Sequence, residues 1–213
     1  MRRTNNDQIN TKTYWDFIYG DVWKRARYDA QGTLVEMGHV GDKVVRPTKR
    51  FIQTLNYIKD GDKVIDLGCG VGTMTKMIKE KYPACEVWGV DISEIVIEDN
   101  RKEHSGIQYY PGYIGNLSFL PKDYFDLVFC GEVIEHIDNP QEAFTDAYRI
   151  LKPGGKLIIT TPIEDHVYSE EHVWEFTRED LEKLYKDNNF KNIEFVSLAD
   201  LEHLVVFYVI GEK

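Results

Sequence analysis

The stretch at residues 64–73, which reads VIDLGCGVGT, constrains the fold of this chain more than any other part of it. It begins with a short apolar run that is typical of a buried strand, and it ends where apolar residues take up helical spacing over residues 73–81. Glycines between a strand and a helix let the backbone approach a ligand closely and expose the N–H groups of the helix. The pattern predicts a strand, loop and helix unit with a ligand at the loop.

The spacing of the glycines and one acidic residue indicate the kind of ligand. A dinucleotide fingerprint reads G-x-G-x-x-G, whereas here Gly68, Gly70 and Gly72 alternate, and Thr73 takes the third expected glycine position. Asp66 precedes the first glycine by two residues, where its charge repels a pyrophosphate and suits a cation. We therefore expect a sulfonium and ammonium compound rather than a dinucleotide.

From about residue 60 onward, β-rich apolar runs alternate with helical stretches, which is typical of βαβ units. The predicted strands are residues 63–67, 86–91, 107–110, 124–130, 156–161, 193–198 and 204–210, and the predicted helices are residues 73–81, 93–104, 141–151 and 177–188. The last two strands are too close in sequence for a crossover, so they pair as an antiparallel hairpin. We predict an α/β, Rossmann-like fold: a seven-stranded, mostly parallel sheet with an antiparallel last strand and helices on both faces. Residues 152–155 are predicted to form a sharp turn.

Residues 1–60 have a different character and are predicted to form an N-terminal helical cap on a core at 61–213, all within one structural domain. They are rich in aromatic residues: Tyr14, Trp15, Phe17, Tyr19, Trp23 and Tyr28. We expect their helices to lie over the carboxyl ends of the strands, where open α/β sheets bind ligands. The alternative is that these rings only pack the first helices onto the domain.

Composition excludes several classes of partner. The formal net charge of −10 disfavours nucleic acid, because nucleic-acid binding depends on Lys and Arg. No apolar run is long enough to span a membrane, and no apolar stretch follows the first residues, so a cytoplasmic protein without a secretory signal is expected. The three cysteines form no C-x-x-C pair and are predicted to be reduced. The oligomeric state is left open.

A second acidic residue stands where a nucleoside ligand needs one. Asp91 ends the second predicted strand about twenty residues beyond the glycine loop, and an acid at that position accepts hydrogen bonds from both ribose hydroxyls. An acid at a strand end is common in surface turns. In register with the glycine loop, however, it predicts a ribose site.

These motifs, with two later ones, resemble the class I S-adenosylmethionine-dependent methyltransferases over residues 45–210. The later motifs are FDLVFCGEVIEH at 125–136 and LKPGG at 151–155. The resemblance implies S-adenosylmethionine as the cofactor. It further implies that Asp66, Gly68 and Gly70 face the methionine part of the cofactor, Asp91 the ribose and Ile92 the adenine.

Three more residues belong to the predicted cofactor set: Cys69, Asn116 and Cys130. The resembling family usually has an acid after the third strand that holds the adenine amino group, and this chain has none at 112–116. Either Asn116 or the backbone is expected to accept that hydrogen bond.

Methyl transfer to a hydroxyl needs alignment and a base or a metal. Glu132 and His136 are the catalytic candidates. If residues 132–136 turn helically, Glu135 joins them on one face, and His172 can add a fourth ligand to a tentative Mg²⁺, Mn²⁺ or Zn²⁺ site. His166 is a weaker candidate for that fourth position. A metal-free base at His136 and a purely structural role are also open.

The E-x-x-E-H pattern at 132–136 resembles both the small-RNA 3′-end 2′-O-methyltransferases and the ubiquinone-biosynthesis O-methyltransferases. Both resemblances imply an oxygen acceptor. We predict O-methylation of a small metabolite, a sugar, nucleotide sugar or phenolic compound. The competing hypotheses are an RNA 3′-end 2′-O-methyltransferase, an N-methyltransferase and a non-catalytic module that binds S-adenosylmethionine.

Overall fold

The computed structural model describes residues 2–3, 11–17, 27–28, 34–36, 49–163, 172–201 and 204–213. Predictions that concern Tyr19, Trp23 and His166 lie outside these residues. None of the helices in the described part of the chain is both long and apolar enough to cross a membrane.

The front of the chain contains both helices and short strands. Its elements are β1 (Arg2–Arg3), α1 (Lys12–Phe17), β2 (Arg27–Tyr28), β3 (Leu34–Glu36) and α2 (Lys49–Leu55). β2 and β3 pair with each other, and β1 pairs with a short strand late in the chain, β9 (Trp174–Glu175). The described residues of the predicted helical cap are therefore only partly helical. The division at residue 60 stays a prediction.

The rest of the chain forms a seven-stranded sheet with helices. Its elements are β4 (Lys63–Leu67), α3 (Thr73–Lys81), β5 (Glu86–Asp91), α4 (Glu94–Glu103), β6 (Ile107–Pro111), β7 (Phe125–Gly131), α5 (Pro140–Ile150), β8 (Leu151–Pro162), α6 (Arg178–Asp187), β10 (Lys191–Leu201) and β11 (Leu204–Glu212). The strand order is β10-β11-β8-β7-β4-β5-β6. β11 is antiparallel to both of its neighbours, and the other pairings are parallel. The predicted α/β fold, with its antiparallel last strand, is confirmed.

Helices cover both faces of the sheet, because successive strand side chains point to opposite sides. Val64 packs with the α3 residues Met74 and Ile78 in one buried cluster. Ile65, its neighbour in β4, packs with Phe144 of α5 in another. The sheet thus separates two apolar cores. The sequence shows this as continuous apolar runs, the pattern of strands that are buried on both faces.

The prediction of a sharp turn at 152–155 is wrong. These residues belong to β8, where the pairing register with β7 jumps from Phe125–Leu151 to Leu127–Lys156. Gly154 has a φ of 79° and donates its N–H to the Lys213 carbonyl, 2.9 Å away. The Pro-Gly-Gly signal therefore marks a bulge within a strand rather than its beginning.

Chain connections reverse direction between β4 and β7. β4 leads to β5 on one side, whereas β7 lies on its other side. In open α/β sheets such a switch point opens a crevice at the carboxyl ends of the strands. The loops that follow β4, β5, β6 and β7 meet at this edge.

Candidate cofactor and acceptor site

A cavity that is open to solvent lies at this edge of the sheet. It is lined by Trp15, Gly68, Asp91, Ile92, Gly112, Tyr113, Ile114, Glu132, Val133, His136, Ile137 and Asp138. These residues come from α1 and from the segments after β4, β5, β6 and β7. The fold thus brings the glycine loop and the E-x-x-E-H segment into one compartment, although about sixty residues separate them in the sequence.

The glycine loop follows β4 in close contact with the loop after β7. Gly68 has a φ of 77°, and a Cβ atom at this position would overlap the side chain of Val133. Its N–H donates to the Val90 carbonyl at 2.8 Å, which ties the loop to β5. Only glycine meets both the left-handed conformation and the close approach. This explains the first glycine of the motif physically.

Gly70 is held from both sides of its backbone. Its N–H donates to Asp91 Oδ2 at 2.9 Å, and its carbonyl accepts from Asn100 Nδ2 at 2.7 Å. The other Asp91 oxygen accepts the Ser93 N–H at 3.0 Å. Asp91 therefore lines the cavity and also fixes the loop. The contribution of Asn100 has no counterpart in a loop motif, because Asn100 lies thirty residues away on α4.

Two buried carboxylates give this end of the site a preference for cations. Burial raises the pKa of Asp66 to about 8, and the charge of Asp91 adds to the shift. Burial also raises the pKa of Asp91 to about 6, against the lowering effect of its backbone donors. None of the described residues that line the cavity is a lysine or arginine. A cofactor with a sulfonium and an ammonium group fits this environment, because its charges stabilise both carboxylates.

The predicted cofactor residues fall into two groups. Gly68, Asp91 and Ile92 line the cavity. The other five, which are not among its described lining residues, are Asp66, Cys69, Gly70, Asn116 and Cys130. Cys130 is 1 % exposed and packs in the core. The contacts of these five with cofactor remain predictions.

Three lining residues after β6 are absent from the set predicted from the sequence. Gly112, Tyr113 and Ile114 line the cavity, and the Gly112 N–H donates to the Asp91 carbonyl at 2.9 Å. The turn continues with the Asn116 N–H donating to the Tyr113 carbonyl at 3.0 Å. This turn lines the cavity without the acid that the family pattern places there, so the motif gives no sign of it.

The E-x-x-E-H segment is a turn rather than a piece of helix, so the prediction that it shares one helical face is wrong. Glu132 has a φ of 56°, and its N–H donates to the Thr160 carbonyl at 2.9 Å. The left-handed residue turns the chain before Glu135 and His136 are reached. Glu132 and His136 both line the cavity, whereas Glu135 is not among its described lining residues.

Glu135, His136 and His172 do come together. One ligand atom of each lies within 4.8 Å of those of the other two. Glu135 is 1 % exposed, and its Oε2 accepts from Thr161 Oγ1 at 3.0 Å. Burial raises the pKa of Glu135 to about 7, and burial together with the charge of His136 lowers the pKa of His172 to about 4. The fourth predicted ligand, Glu132, does not belong to this group, which was searched for among the described residues.

Trp15 of α1 closes one side of the cavity. Its ring meets the His136 ring edge to face, with the centroids 5.4 Å apart. The next residue, Asp16, accepts a 2.6 Å hydrogen bond from the hydroxyl of Ser93, the residue that caps α4. α1 therefore connects the segment after Asp91 with His136. Trp15 thus lies at the carboxyl ends of the strands, where the helices of residues 1–60 are expected; for the rest of that region the expectation stays a prediction.

Comparison with known proteins identifies the class to which this fold and site belong. Residues 39–195 match the methyltransferase-domain family. A malonyl-[acyl-carrier protein] O-methyltransferase of Hahella chejuensis is 30% identical over 113 residues, which are 52% of this chain and 40% of that protein. A ubiquinone/menaquinone biosynthesis C-methyltransferase of Psychromonas ingrahamii is 28% identical over 65% of this chain and 57% of its own length. The chain therefore matches about half the length of these two curated relatives.

Solved structures share the fold at low sequence identity. A methyltransferase of Archaeoglobus fulgidus superposes with a TM-score of 0.67 and 19% identity, over 78% of this chain and 92% of its own. The Haemonchus contortus phosphoethanolamine N-methyltransferase 2, solved with S-adenosylhomocysteine, superposes with a TM-score of 0.64 and 18% identity, over 76% of this chain and 51% of its own. The chain belongs to the methyltransferase-domain family. Its matched region is a methyltransferase domain of the class I S-adenosylmethionine-dependent superfamily.

Proposed function

We propose that the protein O-methylates a small metabolite in the cytoplasm, with His136 as the general base. The proposal is supported by one observation above all: the His136 imidazole lines the same cavity as Gly68 and Asp91. A proton acceptor thus faces the compartment that receives the cofactor. A hydroxyl needs such a base, because it is a weak acid at neutral pH.

The residues around the cavity divide the work of the reaction. When bound, the cofactor supplies an electrophilic methyl group on its sulfonium and becomes S-adenosylhomocysteine when the carbon–sulfur bond breaks. His136 takes the proton of the acceptor hydroxyl as the new carbon–oxygen bond forms. Trp15 and Ile137 line the cavity beside it and exclude water. Asp91 and the glycine loop hold the adenosyl part in line.

The choice of oxygen as the acceptor atom needs its own test, because the curated relatives include O-, C- and N-methyltransferases. A metabolite extract incubated with the protein and carbon-13 methyl-labelled S-adenosylmethionine tests it. The carbon-13 chemical shift of the transferred methyl group distinguishes oxygen, nitrogen and carbon acceptors. We expect a methoxy signal. An N-methyl or C-methyl product would refute O-methylation and leave the methyltransferase class intact.

A second arrangement is favoured by the grouping of Glu135, His136 and His172. One carboxylate and two imidazoles suit Zn²⁺, Mn²⁺ or Mg²⁺, and a bound ion would lower the pKa of the acceptor hydroxyl. His136 would then hold the ion instead of taking the proton. Loss of activity in a chelator, with recovery on adding one of these ions, supports this arrangement. Full activity after exhaustive chelation supports the metal-free base.

An RNA acceptor and a non-catalytic role can each be tested directly. The net charge of −10 argues against RNA, and a gel-shift with short RNA 3′ ends is expected to show no complex. A non-catalytic module would bind cofactor in a calorimeter and transfer no label to the extract. The presence of His136 beside the cofactor compartment favours the enzyme.

A further inference from the structure

Three polar side chains form a chain of hydrogen bonds that ends at the glycine loop. They belong to Thr75 of α3, to Tyr109 of β6 and to His104, the residue that caps the end of α4. Tyr109 Oη lies 2.6 Å from Thr75 Oγ1 and 2.9 Å from His104 Nδ1. Thr75 Oγ1 in turn lies 2.8 Å from the Gly72 carbonyl oxygen. None of the three is among the described residues that line the cavity, so they reach the loop from outside it.

The direction of these hydrogen bonds follows from the Gly72 carbonyl, which can only accept. Thr75 has one hydroxyl proton, so it donates that proton to Gly72 and accepts a hydrogen bond from Tyr109. Burial raises the pKa of Tyr109 above its usual range, so the phenol keeps the proton that it donates. Because this proton is directed to Thr75, Tyr109 Oη must accept from His104. His104 Nδ1 therefore carries a hydrogen atom.

Tyr109 also packs directly against the loop. Gly72 has a φ of 77°, and a Cβ atom there would lie 2.7 Å from Tyr109 Oη and 2.8 Å from His104 Nδ1. A Cβ atom at Gly89 of β5 would lie 2.7 Å from the Tyr109 ring and 3.0 Å from Cys69 Sγ. The space that a side chain would need at either glycine is thus already filled. The last glycine of the motif is explained by its contact with a residue of β6.

The end of α4 supports the loop at two neighbouring points. Asn100 and His104 are four residues apart, so they lie on one side of the helix. Asn100 donates to the Gly70 carbonyl, and His104 begins the chain that ends at the Gly72 carbonyl. Between these points, the Gly72 N–H donates to the Cys69 carbonyl at 3.0 Å and closes the loop around Gly70. Both supported carbonyls therefore belong to one tight turn.

We infer that Thr75, Tyr109 and His104 are positioning residues that hold the glycine loop in the conformation that binds the cofactor. A loop that is already ordered loses less conformational freedom when its ligand binds. The inference rests on the proposed role of the glycine loop in holding the adenosyl part of the cofactor. It is independent of which acceptor atom is methylated.

The first experiment determines which nitrogen of His104 carries the proton. Burial and the charge of Lys76 lower the pKa of His104, against Glu103 and Glu80, so the ring is neutral above pH 7. Nitrogen-15 NMR of the imidazoles distinguishes the two neutral tautomers, and His104→Asn assigns the signal by its loss. We expect the Nδ1–H form. The Nε2–H form would overturn the donor chain.

The second experiment removes only the hydroxyl at the centre of the chain. In Tyr109→Phe, the Kd of S-adenosylhomocysteine measured by calorimetry should rise about three- to tenfold, the effect of one or two lost hydrogen bonds. The acceptor KM at saturating cofactor should stay unchanged. Tyr110→Phe is the matched control, because it makes the same change at the next residue of β6, whose hydroxyl donates to Gln108 Oε1 at 3.2 Å instead. This control should bind the cofactor product normally.

A conservative variant tests the role of His104. The side-chain amide of His104→Asn can donate from nearly the same place as Nδ1, whereas His104→Ala offers no donor. We expect His104→Ala to weaken binding of S-adenosylhomocysteine about threefold and His104→Asn to restore most of the affinity. Equal losses in the two variants would overturn the donor role.

Two further outcomes separate the inference from the proposed function. If Tyr109→Phe lowers Tm but binds S-adenosylhomocysteine as the natural protein does, the chain stabilises the fold and the positioning role is overturned. The proposed function then stands. If the natural protein binds neither S-adenosylhomocysteine nor S-adenosylmethionine, the proposed function fails and the positioning role fails with it, whatever tautomer His104 adopts.

Discussion

The two ends of the cavity are built in different ways. At the cofactor end, Gly70 is bound on both sides by residues of adjacent elements, Asp91 and Asn100. At the acceptor end, His136 meets rings from two distant segments, Trp15 and His172. The cofactor end is thus defined by hydrogen bonds within consecutive βα units. The acceptor end depends on contacts between remote parts of the chain.

This difference follows from what each end must recognise. Two of the structural neighbours hold S-adenosylhomocysteine or S-adenosylmethionine, whereas the named relatives act on different acceptors. A common ligand favours a compact motif, and a variable ligand favours a site assembled from several segments. We therefore expect substitutions at the two ends to separate cofactor affinity from turnover.

The largest expected effect is the loss of turnover, without loss of cofactor binding, when His136 is replaced. Replacing His136 with Ala is expected to lower kcat about a hundredfold or more, because the general base is removed. Binding of S-adenosylhomocysteine, measured by calorimetry, should change little. His136→Gln, which keeps a polar side chain without a base of matching pKa, is the control and should be similarly impaired. Turnover near that of the natural protein would remove His136 from the chemistry.

Asp91 should show the opposite separation. In Asp91→Ala, the Gly70 and Ser93 N–H groups lose their acceptor and the ribose loses its proposed one, so cofactor affinity should fall about ten- to a hundredfold. Calorimetric titration with S-adenosylhomocysteine measures this. Asp99→Ala removes a carboxylate that pairs with Lys102 on the surface of α4 and should bind normally. Unchanged cofactor affinity in Asp91→Ala would mean that the cofactor does not bind at Asp91.

Asn100 tests whether the loop needs support from outside its motif. Asn100→Leu keeps the volume but leaves the Gly70 carbonyl without its donor, which should weaken cofactor binding about tenfold. The KM for acceptor, measured at saturating cofactor, distinguishes a local effect on the loop from a general one. An equal rise in both constants would show that Asn100 supports the whole fold instead.

Trp15 tests whether α1 belongs to the acceptor end. Trp15→Leu removes the edge-to-face contact with His136, and we expect the acceptor KM to rise about three- to tenfold, the range for one aromatic pair. Phe17→Leu on the same helix is the control, because Phe17 is 58 % exposed and does not line the cavity. If Trp15→Leu changes only cofactor affinity, α1 belongs to the other end.

The smallest expected effect is a pH dependence at the cofactor end. The pKa of Asp66 is raised to about 8 and that of Asp91 to about 6 by burial, so the folded protein binds more protons than the unfolded chain above pH about 4. Stability without cofactor should therefore fall as pH rises from 5 to 8, which thermal unfolding would show as a lower Tm. Asp66→Asn should flatten this slope. If the dependence of Tm on pH is the same in Asp66→Asn, other titratable groups cause it.

Elements that local spacing determines were predictable from the sequence, whereas the E-x-x-E-H segment at the acceptor end was not. The seven strands of the large sheet and the final hairpin were predicted and are present, because local spacing determines them. The shared face of Glu132, Glu135 and His136 depended on a helical turn at 132–136, and this turn is absent: Glu132 has a φ of 56° and donates its N–H to the Thr160 carbonyl of β8. Spacing alone carries no sign of that contact.

The amino-acid sequence by itself determined the α/β class, the order of strands and helices in the seven-stranded sheet, and the glycine loop after its first strand. Short-range physical rules suffice for these, since periodicity, glycine conformation and a nearby charge all act within one βαβ unit. Only the tertiary structure decided that Asn100 holds Gly70, that Trp15 reaches His136, and that Glu132 separates from Glu135 and His172. Those contacts join residues from different elements, and their distances exist only once the sheet has brought its loops together.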